Sequence, residues 1–324
     1  MFDKFDSLLI TGGSGSLGTM ITKSLLKNNL EKEIFLVSRN EKAQYILKKK
    51  IEDGFGLESL SRIHFVLGDV RDPEKTDFLT SKVDLVLHAA ALKHITMGEE
   101  QPGEFVETNV IGTQNVVASC LKHDARLVFI STDKACMPIN MYGMTKALAE
   151  RIVTNAGFIC VRYGNVAASN GSVIPYFFNL IKQNKELPIT DPRMTRFFLT
   201  LDDAVDLIFK ANQICGPGEV LIKQSPSFKI TDIAKYMGNK FGNMEDYPTK
   251  YIGLQNFGEK LHEMLVATHE VERTIEVNKY YKVNNLKYTI CENHIAKPYT
   301  SEQTVDSSEI ELEKLFSRIG EIVY

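Results

Sequence analysis

The stretch Leu8-Leu9-Ile10-Thr11-Gly12-Gly13-Ser14-Gly15-Ser16-Leu17-Gly18 decides the fold. A short apolar run leads directly into glycines spaced three apart. Gly12 permits a sharp turn out of a strand, Gly15 lets backbone approach a ligand with no Cβ in the way, and Gly18 lets the next element pack close to a sheet. Residues 16–28 then place Leu17, Met20, Ile21, Ser24 and Leu25 on one helical face. The N-terminus of such a helix offers free N–H groups and a positive dipole end to phosphates. A glycine loop alone is weak, because tight turns use the same residues. Between a strand and an amphipathic helix it is a strong pointer to a dinucleotide site.

Outward from the loop, further short apolar runs fall at residues 34–37, 63–67, 83–87, 127–130 and 159–161, separated by helical patterns that include 105–123 and 141–155. Continuous apolar strands alternating with helices predict an α/β fold with a doubly wound parallel sheet buried on both faces. Beyond Arg162 the alternation breaks. Helical spacing persists at 173–184 and 201–214 and returns from about Ser308, with Pro188, Pro192, Pro217 and Pro226 marking turns. The expected organisation is a dinucleotide-binding domain over 1–164, to which 195–215 returns, and a smaller part over 165–194 and 216–324 that covers the open edge and takes the substrate.

Bulk properties narrow the function. The 324 residues carry 44% hydrophobic and 24% charged side chains and a formal charge of −3, an ordinary globular balance with no basic footprint for nucleic acid. Five cysteines, none spaced C-x-x-C, suggest reduced thiols; neither a disulfide framework nor a metal site is expected. The N-terminal apolar run is too short for a signal peptide, and no stretch approaches a membrane span, so a soluble cytoplasmic protein with no membrane partner is expected.

At the end of the second strand stands Val37-Ser38-Arg39-Asn40. NAD sites usually carry an acidic residue there for the ribose 2′-hydroxyl. Arg39 instead offers a fork for a 2′-phosphate, which favours NADP over NAD. The cofactor set expected from these positions is Gly12, Ser14, Gly15, Ser16, Leu17, Gly18, Ser38, Arg39, Lys42, Asp69, Val70, Ala89, Ala90 and Ala91. His88 reads as a packed, hydrogen-bonded residue. After the fifth strand come Ser131-Thr132-Asp133-Lys134 and then Tyr142-Gly143-Met144-Thr145-Lys146 at a helix start. Tyr142 and Lys146 share a helix face. An ammonium there should favour phenolate and give a base for a sugar hydroxyl, with Thr132 bonding the same oxygen. Tyr142 and Lys146 would also touch the cofactor.

Residues 11–18 with Tyr142-x-x-x-Lys146 resemble the extended short-chain dehydrogenase/reductases. Seven further motifs in order narrow this: Gly68-Asp69-Val70-Arg71-Asp72, residues 88–94, Ser131-Thr132-Asp133-Lys134-Ala135, Pro138-Ile139-Asn140, Arg162-Tyr163-Gly164-Asn165-Val166, residues 189–197 and Gly258-Glu259-Lys260-Leu261-His262-Glu263. Together they are similar to UDP-N-acetylglucosamine 4,6-dehydratases, most of all the soluble C5-inverting type that begins pseudaminic acid synthesis. Tyr142 points to that branch, since larger membrane-anchored relatives and some capsule enzymes carry Met at its position.

The resemblance implies Lys134 as the base for the C5 proton and Asp133 as the acid for the departing 6-hydroxyl. It implies Lys93, Asn165, Arg196, Glu259 and Lys260 as nucleotide-sugar contacts, and a homo-oligomer. A lysine base needs a lowered pKa, which desolvation and Lys146 are expected to supply. Two departures stand out. The stretch 252–260 is one residue longer than the family pattern and lacks its Arg around Gln255–Phe257, and the connection 151–158 is short. The rival readings are a UDP-hexosamine 4-epimerase, which would leave Asp133 and Lys134 idle, the C5-retaining dehydratase, and a dinucleotide-binding protein without catalysis.

Overall fold

The computed structural model describes residues 5–28, 31–167, 169, 171–244, 246–254, 258–285 and 290–319. The altered stretch at Gln255–Phe257 lies outside them. The six expected strands form at β1 (Ser7–Thr11), β2 (Glu33–Ser38), β3 (Ile63–Leu67), β4 (Leu85–His88), β5 (Arg126–Ile130) and β6 (Ile159–Arg162). They run parallel in the order β3-β2-β1-β4-β5-β6. The order reverses between β1 and β4, which opens a crevice at their carboxyl ends.

The sheet is fully covered, as its apolar strands require. On one face Ile21 and Leu25 of α1 (Ser16–Lys27), Leu47 and Ile51 of α2 (Glu41–Phe55) and Val205, Ile208 and Phe209 of the helix Leu201–Ile214 pack on Leu8, Ile10, Leu36 and Leu87. On the other, Leu79 of α3 (Pro73–Thr80), Val116, Val117 and Cys120 of Gly112–His123, and Ala149 and Val153 of Met141–Asn155 pack on Leu9, Val86, Leu127 and Phe129.

Three further strands extend this sheet. Glu219–Lys223 adds to β6 in parallel, and Tyr280–Asn284 and Thr274–Val277 follow antiparallel. Among the described residues the main sheet has nine strands, three of them from 216–324. Their short, mixed sequences lack the uninterrupted apolar runs of the first half. The remainder builds a second core of Ile174, Phe177, Ile181, Phe198, Phe228, Met237, Leu312 and Phe316. This core lies around the strands Asn165–Val166, Thr195–Leu199 and Ser227–Lys229.

The helix expected over 105–123 is also modified. It begins at Pro102 and passes through a wide π-type turn at Val106–Ile111 before continuing as Gly112–His123. The extra residue in that turn points Asn109 at the loop after β4: its Oδ1 accepts from Leu92 N at 2.8 Å, and its Nδ2 donates to Leu92 O at 3.0 Å and Thr145 Oγ1 at 3.1 Å. Asn109 thus ties that loop to the Tyr142 helix. Among the described residues no helix is long and apolar enough to cross a membrane.

Candidate active site

A cavity of about 530 Å³ occupies the crevice. Its floor is the glycine loop, where Gly12 turns with φ +70° and a Cβ would meet Ala90 N at 3.0 Å. A Cβ on Gly18 would lie 2.5 Å from Gly13 O, so only glycine lets α1 pack this close. The N-cap Gly15 supplies no capping side chain, which leaves the first N–H groups of α1 for a ligand. These features fit a dinucleotide pyrophosphate. Of the expected cofactor residues, Gly12, Ser38, Arg39, Asp69, Val70 and those at 14–18 and 89–91 line the cavity. Lys42 does not; it is exposed on the first turn of α2. Ser14 Oγ donates to Ser38 Oγ at 2.8 Å, and Gln44 Nε2 donates to the same hydroxyl at 2.9 Å. Arg39 Nη1 stands 3.5 Å from Asp69 Oδ2 with its side chain 46% exposed. His88 is buried, with Nδ1 2.7 Å from Thr11 Oγ1 and Nε2 2.9 Å from Thr113 Oγ1. Burial, then Lys146, lowers its pKa to about 3, so it stays neutral.

At the other end Thr132, Lys134, Tyr142, Lys146, Lys93 and Asn165 line the same cavity. Asp133 lies fully buried just beneath. Its Oδ1 accepts from Thr132 Oγ1 at 2.9 Å and from Lys134 Nζ at 3.0 Å. Its Oδ2 is buried, accepts no hydrogen bond among the described residues, and faces Gly164 of the cavity wall. Burial raises the Asp133 pKa while Lys134 opposes the rise. Asp133 is thus fully buried and Lys134 largely so, and of the two only Lys134 reaches the cavity.

Two electrostatic expectations are corrected. Lys134 is not lowered: burial works in that direction, but the carboxylates of Asp133 and Glu263 outweigh it and raise its pKa. Tyr142 is raised as well, by burial, with Lys134 and a hydrogen bond to Thr132 pulling the other way. Lys146 does not activate it here. Its Nζ donates to Ile130 O at 2.6 Å and lies 3.8 Å from the centre of the Phe129 ring, and burial lowers its pKa to about 7. The cation that favours a Tyr142 phenolate is Lys134.

The substrate contacts implied by resemblance divide. Asn165 holds a buried Oδ1 with no hydrogen-bond partner among the described residues, and burial lowers the Lys93 pKa. Arg196, Glu259 and Lys260 do not line the cavity. Arg196 Nη1 donates to Thr195 O at 2.8 Å and Leu261 O at 3.1 Å, and Lys260 Nζ donates to Cys136 O at 2.6 Å. Both stand behind Glu263, which lies 3.3 Å from Lys134 Nζ. Glu263 and Asn109 were missed as site residues. Glu263 had a signal, since it closes the motif at 258–263; Asn109 had none.

A glycine loop at the carboxyl end of β1 and a Tyr142-x-x-x-Lys146 helix on one crevice of a parallel sheet place the fold in the extended short-chain dehydrogenase/reductase class. A family model described as polysaccharide biosynthesis protein matches residues 8–285, and the chain belongs to that family. It is similar to a Campylobacter jejuni protein named UDP-N-acetylglucosamine 4,6-dehydratase (inverting), 38% identical over 295 residues, 88% of this chain and 84% of the relative. It is equally similar to a Rickettsia bellii protein named UDP-glucose 4-epimerase, 38% identical over 92% of this chain and 91% of the relative. The X-ray structure of Pen from Bacillus thuringiensis superposes with a TM-score of 0.87 at 34% identity over 98% of both chains.

Proposed function

We propose that the chain is an NADP-dependent UDP-N-acetylglucosamine 4,6-dehydratase that inverts C5. The observation that carries this reading is the buried Asp133–Lys134 pair at the sugar end of the cavity, 3.0 Å apart. An oxidation at C4 alone needs one base; a dehydration needs a second base and an acid. Tyr142 takes the 4-hydroxyl proton. Bound on the glycine loop, the dinucleotide supplies acceptance of the C4 hydride and its return to C6. Lys134, as free amine, takes the C5 proton that the 4-keto group acidifies. The electrons of the C5–H bond form a C5–C6 double bond as the C6–O bond breaks, and Asp133 gives its proton to the departing hydroxyl as water. Once C6 regains the hydride, C5 takes a solvent proton, and delivery on the face opposite Lys134 inverts it. NADP rather than NAD is supported by Arg39 in the cavity wall. Inversion is supported by the Campylobacter relatives' names. The reading includes a cytoplasmic homo-oligomer and a place at the start of pseudaminic acid synthesis.

The second reading, a UDP-hexose or UDP-hexosamine 4-epimerase, is favoured by the names of the Rickettsia relatives. It requires neither Asp133 nor Lys134. Incubation with UDP-N-acetylglucosamine and NMR of the product separates them. A C6 methyl beside a C4 ketone is expected. An intact C6 hydroxymethyl sinks the dehydratase; a methyl with D-configuration at C5 sinks inversion alone.

A further inference from the structure

We propose that Glu263 is the positioning residue of Lys134: its carboxylate fixes the Lys134 amine at the cavity and stabilises the charge that Nζ gains on taking the substrate's proton. The inference rests on the dehydratase reading. Lys134 Nζ lies between two buried carboxylates, 3.0 Å from Asp133 Oδ1 and 3.3 Å from Glu263 Oε1. Only 3% of the Glu263 side chain is exposed.

The other charges facing Glu263 are Arg196, with Nε at 3.8 Å, and Lys260, with Nζ at 3.7 Å. Both are farther away than Lys134, and both spend hydrogen bonds on backbone carbonyls. A carboxylate kept only to neutralise them would be hydrogen-bonded to them. Burying one is costly, and here its shortest ionic contact is to the proposed base. Its backbone is clamped: Glu263 N donates to Ser301 Oγ at 2.8 Å, Ser301 N donates to Glu263 O at 2.8 Å, and Thr195 N donates to Leu261 O at 3.0 Å. Thr195 and Ser301 therefore fix the backbone that carries Glu263 towards Nζ.

The two carboxylates have different tasks. Asp133 exchanges the proton, because its pKa is raised by burial. Glu263 stays ionised: burial is outweighed by Lys134, Arg196 and Lys260, which lower its pKa. When the C5 proton reaches Nζ, the new ammonium lies beside a fixed negative charge, which needs no reorganisation.

The test is Glu263→Gln and Glu263→Asp, assayed on UDP-N-acetylglucosamine by product NMR with kcat and KM measured across pH. In Glu263→Gln, kcat should fall roughly 100-fold with KM little changed. The rising limb, where the doubly protonated Asp133–Lys134 pair loses its first proton, should move to lower pH, because the Glu263 charge that favours protonation is gone. Glu263→Asp keeps the charge but draws it back; it should lose less kcat, hold the limb, and report the role even if the Gln variant does not fold. A wild-type kcat in either variant, or a fall in kcat with the limb of Glu263→Gln unmoved, overturns the inference. A wild-type protein that yields no C6 methyl sinks the dehydratase reading instead, so the two failures are distinct.

Discussion

Lys134 Nζ and Asp133 Oδ1 stand 3.0 Å apart at the Tyr142 end of the cavity. A proton crossing that one contact turns an ion pair into a free amine and a carboxylic acid, which arms base and acid together. In the proposed dehydration the ion pair is restored after elimination. Lys134→Met and Asp133→Asn should therefore each lower dehydration by roughly 100- to 10,000-fold. Nucleotide binding should persist, because the glycine loop is untouched. Product NMR and a cofactor titration check this. Full turnover in Lys134→Met would favour the epimerase reading.

Arg39 carries the cofactor prediction. Its contact to Asp69 is long and exposed, and Asp69 is already engaged by Arg71 at 2.7 and 2.9 Å. Turning Arg39 towards a phosphate costs little, since such surface pairs contribute about 0–1 kcal/mol. Arg39→Ala should weaken NADPH by roughly 10- to 100-fold, the worth of a charge-assisted contact. NADH binding should change far less. Titration of reduced-cofactor fluorescence measures both; equal losses for the two cofactors would count against NADP.

Lys146 makes stability depend on pH. Its folded pKa is lowered by burial to about 7 from an ordinary 10.5. Below the folded value the buried ammonium is destabilising in full. Between about 7 and 10.5 the unfolded chain binds the proton and the folded one does not, so stability from this group rises with pH. Lys146→Met should remove that rise. Its stability relative to wild type should be most favourable near pH 6 and become less so towards pH 10. Urea unfolding at a series of pH values checks the slope; a difference independent of pH would exclude the lowered pKa.

The parallel half of the fold was legible because its strands are uninterrupted apolar runs and its loop glycines have steric reasons that hold in any context. Helical spacing marks 141–155 and 201–214 to the residue, and in the structure Asn140 caps the first while a Thr200–Asp203 capping box opens the second. The later strands of the sheet were not legible: Glu219–Lys223 and Tyr280–Asn284 are five-residue segments of mixed sequence that pair with each other, and the first with β6, across long intervening stretches of chain. At the site, spacing placed Thr132, Lys134, Tyr142 and Lys146 on one cavity. It did not reveal their charges. Those depend on Glu263, which reaches Lys134 across more than a hundred positions, and on Ile130 and Phe129, which draw Lys146 away from Tyr142.

A last prediction concerns the buried ion network under this site. Arg162, at the end of β6, forks onto Glu270 with Nη1 2.8 Å from Oε2 and Nη2 3.0 Å from Oε1. It also donates to Leu265 O at 2.8 Å and pairs with Glu150, whose Oε2 accepts from Ser131 Oγ at 2.6 Å. The network joins the sheet to the segment that follows Glu263. For Glu270, burial alone would raise the pKa, but Arg162 outweighs it and lowers the value from 4.5 to about 2. The stabilisation is thus present above about pH 4.5 and is lost as pH falls towards 2. Glu270→Gln leaves Arg162 with one carboxylate fewer and should cost about 3–5 kcal/mol at neutral pH. The difference from wild type should shrink as the pH is lowered from 5 towards 3, because the wild-type chain then loses the same interaction. Urea unfolding at pH 7 and pH 4 measures this, and a neutral-pH midpoint equal to wild type would show that the network contributes no stability.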